Sequence, residues 1–264
     1  MTDAIPAPLA PEGAQFSIGR AFSMTFGVLG RNLRAMAPIA LVVTAVQSGI
    51  DYLLSGDPLG GESGGSSFLG LFAYALITAP VSYATFQDLR GKRLDASAMM
   101  SGGFGRVGRV IGASFAVGFV IVVPALIAGF LWATNEVVGL VVGAAATVFV
   151  LYILIAWFVV IPVLVVEDVR FFSSFGRAAR LSRGRRWGML GLLLLYGILL
   201  FAVGVLLVLI STLAADVPVL ALVVIVPFSA LYSVVGAILP VVVYYLLRAE
   251  KEGIGIDEIV KVFD

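Results

Sequence analysis

All 17 lysine and arginine residues of this 264-residue chain fall in four of the seven segments that flank six long apolar runs. The runs cover roughly residues 35–54, 68–86, 110–131, 138–166, 188–213 and 219–247. Each has about the 20 residues that cross about 30 Å of hydrocarbon, and each is continuous rather than alternating. The expected fold class is therefore all-α: a polytopic helical membrane protein with six transmembrane helices. Composition agrees, with 61% hydrophobic and only 12% charged residues and a mean hydropathy of +1.09. A soluble domain carries about one quarter charged residues.

The basic segments alternate with cation-free ones. Arg20, Arg31 and Arg34 precede the first run, and Arg90, Lys92, Arg93, Arg106 and Arg109 separate the second from the third. Arg170, Arg177, Arg180, Arg183, Arg185 and Arg186 separate the fourth from the fifth, and Arg248, Lys251 and Lys261 follow the sixth. Of the 16 acids only Asp51, Asp57, Glu62, Glu136 and Asp216 are assigned to the other side, which leaves +6 on one face and −5 on the other. Basic loops are retained in the cytoplasm, so both termini are expected there, in a bacterial inner membrane.

The segments between runs have their own character. Residues 1–15 are rich in proline and alanine, lack a signal peptide's basic start and read as a disordered cytoplasmic tail. From Phe16 to Arg34, Ile18, Phe22, Phe26 and Leu29 recur on one helical face, the pattern of a helix lying in the interface. A glycine-rich loop follows the first run, and its glycines lack the Lys-Ser/Thr sequel of a phosphate loop. Leu94–Gly108 forms a second surface segment, whose glycines weaken the expectation of a regular helix. The third, from Ile161 to Trp187, passes Pro162, Glu167 and Asp168, then Phe172, Phe175 and Ala179 opposite Arg177 and Arg180. In the sixth run, Pro227 and Pro240 each remove an intrahelical hydrogen bond and predict a bend. After it, residues 248–264 read as a cytoplasmic tail whose Ile256, Ile259, Val260 and Phe263 can pack on a neighbouring surface.

Two markers recur with a period near eighty. Arg31/Arg34, Arg106/Arg109 and Arg183/Arg186 precede the odd-numbered runs at intervals of 75 and 77 residues. Pro80, Pro162 and Pro240 lie late in the even-numbered runs at intervals of 82 and 78. The unit is a surface segment, an arginine pair and a two-span hairpin, so the copies read as three parallel hairpin repeats with interfacial helices on the cytoplasmic side. Any chain of hairpins obeying the charge rule gives similar intervals.

The order of surface helix, span, Pro-x-Leu-Val-Val-Glu-Asp from Pro162 to Asp168, a Phe/Arg helix, Arg183 to Trp187, and the ending YYLLRAEKEGI resembles a bacterial membrane domain. It is the domain fused to glycerophosphodiester phosphodiesterases, with stand-alone relatives. The resemblance spans about Phe16 to Gly253 and implies a six-span fold of undefined role. The catalytic domain of those enzymes is expected to be absent.

The chain contains no histidine and no cysteine, which removes the usual general base, disulfides and thiolate metal sites. No catalytic residue, metal or cofactor is expected. Four chemistries remain. Anionic lipid headgroups would meet Arg31, Arg34, Arg106, Arg109, Arg177, Arg180, Arg183, Arg185 and Arg186, at about 1 kcal/mol per nearby cation. The same residues equally suit a plain topological anchor. Transport is opposed by the lack of charge well inside a span, with Thr44, Gln47, Ser48, Thr78, Ser82, Thr147, Ser229, Tyr232 and Ser233 supplying neutral polarity. Gly108/Gly112 and Gly139/Gly143 have the spacing of close helix contacts, within one chain or between chains. Enzymatic chemistry lacks a base inside the spans, where Tyr83, Tyr232, Tyr244 and Tyr245 read as anchors. The expected function is a non-enzymatic membrane component that organises partners or anionic lipids through a basic cytoplasmic face. The alternative is a transporter or lipid-translocating protein without intramembrane charges. Expected partners are membrane lipids, a membrane protein or a second copy, and not nucleic acid.

Overall fold

The computed structural model describes residues 16–55, 64–92, 96–167, 169–213 and 218–252. Among them the chain forms nine helices and no strand. They are α1 (Ile18–Ser55), α2 (Gly64–Leu89), α3 (Ala96–Phe104), α4 (Val107–Thr134), α5 (Glu136–Trp157), α6 (Val160–Val166), α7 (Phe171–Ser182), α8 (Arg186–Leu213) and α9 (Pro218–Glu252). With α5 and α6 taken together, six are long and apolar enough to cross a membrane. The protein is thus an all-α, multi-pass membrane protein. The readings of residues 1–15 and 253–264, of most of the loop after α1, and of Asp168 lie outside the described residues.

Three helices form an inner layer: α2, α6 and α9 all touch one another. Around them stand α1, α4 and α8. Each packs mainly on two helices, α1 on α2 and α9, α4 on α5 and α2, and α8 on α9 and α5. The centre is α9, where every residue from Val241 to Leu247 is buried. At one end α3 lies on α2, and α7 lies across α5, α6 and α9.

The expected separate surface helix before the first span does not form. Instead α1 is one helix of 38 residues, about 57 Å long at about 1.5 Å per residue, nearly twice the hydrocarbon thickness. Arginines at 31 and 34 do not end a helix, because charge sets how deep a residue sits and not whether its backbone bonds continue. Pro38 lies inside the helix without ending it. The buried stripe also differs from the expected Ile18, Phe22, Phe26 and Leu29, for Phe26 is 48% exposed. Burial follows Ala21, Thr25, Val28, Asn32, Met36, Ala40, Thr44 and Ser48 instead. Small side chains there let neighbouring helices approach closely. The polar ones are satisfied at home: Thr25 Oγ1 donates to the Ala21 carbonyl (2.7 Å) and Asn32 Nδ2 to that of Val28 (3.0 Å).

Asp51, inside the first apolar run, lies in the last turns of α1 and is buried on the same stripe. Gln47, one turn earlier, donates Nε2 to both its carboxylate oxygens (2.9 and 3.0 Å), which makes burial of the charge tolerable.

The fourth span is interrupted by a turn at Phe158 and Val159. Pro162 is the cause: it cannot donate to the carbonyl of residue 158, and its ring crowds that carbonyl. The described backbone around Pro227 and Pro240, by contrast, remains one helix. The glycines of α3, expected to weaken it, are what seat it. A Cβ on Gly103 would lie 2.3 Å from Pro80 Cα, and one on Gly102 2.5 Å from the Tyr83 ring.

Candidate functional site

Much of the basic sequence lies where α7 packs on α9 and the starts of α1 and α8 are tied to the end of α9. Helix α7 forms because Ser174, Phe175, Ala178, Leu181 and Ser182 make a buried stripe at helical spacing. Trp157 of α5 meets Phe175 edge-on at 4.8 Å, and Phe171 meets it at 5.5 Å. The expected apolar face of Phe172, Phe175 and Ala179 is therefore rotated. Phe175 is buried while Phe172 is 85% exposed. Arg177, expected beside Arg180 on the outer face, turns inward.

That turn closes a ring of side chains. Arg177 Nε donates to both Glu167 oxygens (3.3 and 3.1 Å), and its Nη2 to Oε1 (3.2 Å). The Tyr244 hydroxyl donates to the same Oε1 (2.7 Å) and accepts from Arg248 Nη1 (2.9 Å). Arg248 Nε donates to Glu252 (2.8 Å), and Glu252 also pairs with Arg177. Glu167, Arg177, Glu252, Arg248 and Tyr244 thus join α6, α7 and α9 with each charge answered by an opposite one. Burial works to lower the Arg177 pKa, but the carboxylates of Glu167 and Glu252 outweigh it and hold the guanidinium above its ordinary value.

Alongside the ring, Glu250 accepts from the Phe16 backbone N–H (2.9 Å) and from Arg185 Nε (2.6 Å), tying the start of α1 and the start of α8 to the end of α9. Lys251 Nζ donates to the Arg180 carbonyl (2.8 Å) and to that of Arg183, capping the last turn of α7. Arg31 pairs with Asp88 at 2.7 Å. Arg106 donates to the Gly102 carbonyl and lies over the Tyr83 ring at 5.0 Å, while Arg186 lies over Tyr152 at 4.6 Å. Arg34, Arg109, Arg180 and Arg183 are exposed, and so is Arg170.

Of the nine candidate arginines, Arg31, Arg177 and Arg185 are therefore committed to acids within the chain, and Arg106 and Arg186 are stacked on tyrosines. The sequence reading missed Glu250, Glu252, Arg248, Lys251 and the role of Tyr244. A signal was present: Tyr244, Arg248 and Glu252 follow at i, i+4 and i+8 and so share one helical face.

Two openings flank this end. A groove of about 860 Å³ runs along α4, lined by residues that include Leu71, Phe115, Phe119, Val122, Trp157 and Phe172. A cavity of about 360 Å³ lies between α3, α4 and α6, with Ser101, Arg106, Arg109 and Glu167 on its wall. One glycine of each expected pair serves a close contact within the chain. A Cβ on Gly139 would lie 2.3 Å from Trp132 Cα, and one on Gly112 3.2 Å from the Phe171 ring. Gly143 has only Ala128 within 4 Å, and Gly108 has nothing. Among the described residues no group of three or more acids gathers as a metal site.

No protein-family model, no curated protein and no solved structure matches this chain.

Proposed function

We propose that the chain is a non-enzymatic component of the bacterial inner membrane, with both termini in the cytoplasm, that holds anionic lipid headgroups or a partner membrane protein against its basic end. One observation carries this reading. Asp88, Glu167, Glu250 and Glu252 at that end are all engaged by arginines of the same chain, while Arg34, Arg170, Arg180 and Arg183 lie at the surface. Among the described residues the charge exposed there is positive, and a cytoplasmic leaflet is negative. We read the fold as three parallel hairpin repeats, supported by the regular way in which each outer helix packs on a neighbouring hairpin.

The test is lipid retention. The protein is placed in nanodiscs of phosphatidylglycerol and phosphatidylcholine, re-extracted gently and weighed by native mass spectrometry. Wild type is expected to keep phosphatidylglycerol in excess. Replacing Arg34, Arg180 and Arg183 together by glutamine should lower that excess severalfold, and an unchanged excess would overturn the reading.

A second reading, lipid translocation, is favoured by the groove along α4, which reaches from Phe172 at the basic end to Leu71 in the first third of α2. It requires that purified protein in vesicles speed the movement of a labelled phospholipid between leaflets, and an unaltered rate excludes it.

A further inference from the structure

Two aromatic side chains, one at each end of α7, are left out of the packing that seats this helix. Phe172 meets the Phe171 ring edge-on at 5.2 Å and is otherwise bare, and Trp187 is 86% exposed. Both stand at the level of the apolar spans. Phe172 lines the groove along α4 together with Phe115, Phe119 and Val122. Trp187 is the second residue of α8, whose span begins at Arg186. The end of α7 is held at that level too, because Ser182 Oγ donates to the Ala156 carbonyl near the end of α5 (3.3 Å) and Arg186 lies over Tyr152. Helix α7 therefore runs where apolar spans give way to basic sequence.

Its outward face changes character along its length. Phe172, Gly176, Arg180 and Arg183 follow at i, i+4, i+8 and i+11, and all are exposed, opposite the buried stripe. A Cβ on Gly176 would lie 3.5 Å from Arg180 Nη1, so the Arg180 guanidinium folds back along this face. Lys251 takes the carbonyls of Arg180 and Arg183 and none of their donors. The nearby acids Glu167, Glu250 and Glu252 are engaged by Arg177, Arg185 and Arg248. Bare aromatic rings at the depth where spans begin, with uncommitted guanidinium groups beside them, repeat the order of a lipid surface, acyl chain and then phosphate.

We propose that the outward face of α7, with Trp187 just beyond it, docks on the inner leaflet and selects anionic phospholipid. Phe172 and Trp187 sit among the upper acyl chains, and Arg180 and Arg183 meet the phosphates. This rests on the basic-face reading and assigns it to one surface.

Trp187 reports its own surroundings. The full chain is placed in nanodiscs that contain brominated phospholipid, and the emission lost by wild type beyond that lost by Trp187→Phe belongs to Trp187. Bromine near the glycerol end of the acyl chains should quench it severalfold more than bromine near their tips, and acrylamide in the water should quench it little. At equal amounts, brominated phosphatidylglycerol should quench it more than brominated phosphatidylcholine. Arg180→Gln with Arg183→Gln should shrink that preference, by up to about fivefold for each arginine, at an unchanged unfolding midpoint.

Quenching by acrylamide and not by bromine puts the face in water and overturns the proposal. A Trp187 shielded from both is covered by protein, a second copy or another chain, and overturns it as well. Equal quenching by the two lipids removes the selection and with it the proposal. If Trp187 stands in water yet the Arg34, Arg180 and Arg183 variant still loses phosphatidylglycerol, the basic-face reading survives without α7. If that variant also keeps its lipid, both fall.

Discussion

The inner helices and the outer helices of this protein are built from the same kind of apolar sequence, yet they are used differently. In their most apolar stretches, half of α2 is buried and 39% of α5–α6 and of α9, against 17% of α1, 11% of α4 and 6% of α8. Hydropathy does not separate the groups. Mean hydropathy in those stretches is 1.4 in α2 and 3.0 in α8, but also 3.0 in α5–α6. In a bilayer, apolar side chains are equally at home against protein or lipid, so association is decided by close fit and polar contacts instead. The inner helices have these: the glycine contacts of α3 on α2, and the side-chain ring that joins α6 and α9 through α7.

The sharpest break of this contrast is steric. Gly103→Val sets an atom 2.3 Å from the Pro80 backbone, whereas Gly204→Val on α8 meets nothing within 4 Å. The first should cost about 3 kcal/mol or more, because backbone has to move, and the second should leave the unfolding midpoint in detergent where it was. Equal effects would erase the distinction between layers. The next test removes a charge from the ring. Glu167→Ala removes one of the two carboxylates that hold Arg177 and takes away the Tyr244 acceptor, at an expected cost of about 2 kcal/mol. That is below the loss for a fully buried pair, because the Arg177 side chain remains 26% exposed. The smallest effect belongs to the surface pair that joins an outer to an inner helix. Asp88→Ala should cost under about 1 kcal/mol and less still in high salt, since Arg31 is 49% exposed. A larger loss there would mean that α1 is held by its basic end and not by its small-residue stripe.

How much of this was legible in the sequence depends on the range of the interaction concerned. The six spans were legible to within a few residues at most of their ends, because length and continuity of apolar sequence are local properties. The interruption before Pro162 was not legible, because Pro38, Pro227 and Pro240 sit inside helices that continue past them and a proline alone does not say which span breaks. The union of the surface segment with the first span is not legible, because Arg31 and Arg34 mark only depth and not the end of a helix. Charge alone also hid the division of labour among the arginines. Whether Arg177 faces water or Glu167 depends on the rotation of α7, which is set by Trp157 of α5 packing against Phe175. That contact joins two separate helices, and no spacing within the chain encodes it. The burial of Asp51 was hidden for a related reason: its compensation by Gln47 is local, but the packing that buries it is not.

The joint at Phe158 and Val159 gives the fourth span two independent fronts. A straight rod presents one azimuth along its length, so a span that faces lipid at one depth tends to face it at every depth. Here the outward segment exposes Val137, Leu140, Val141 and Val148, whereas five of the seven residues beyond the joint are buried. The swivel lets a single crossing act as membrane wall on one leaflet and as keystone on the other, and it delivers Glu167 to Tyr244 at the one depth where a carboxylate finds both a hydroxyl and a guanidinium.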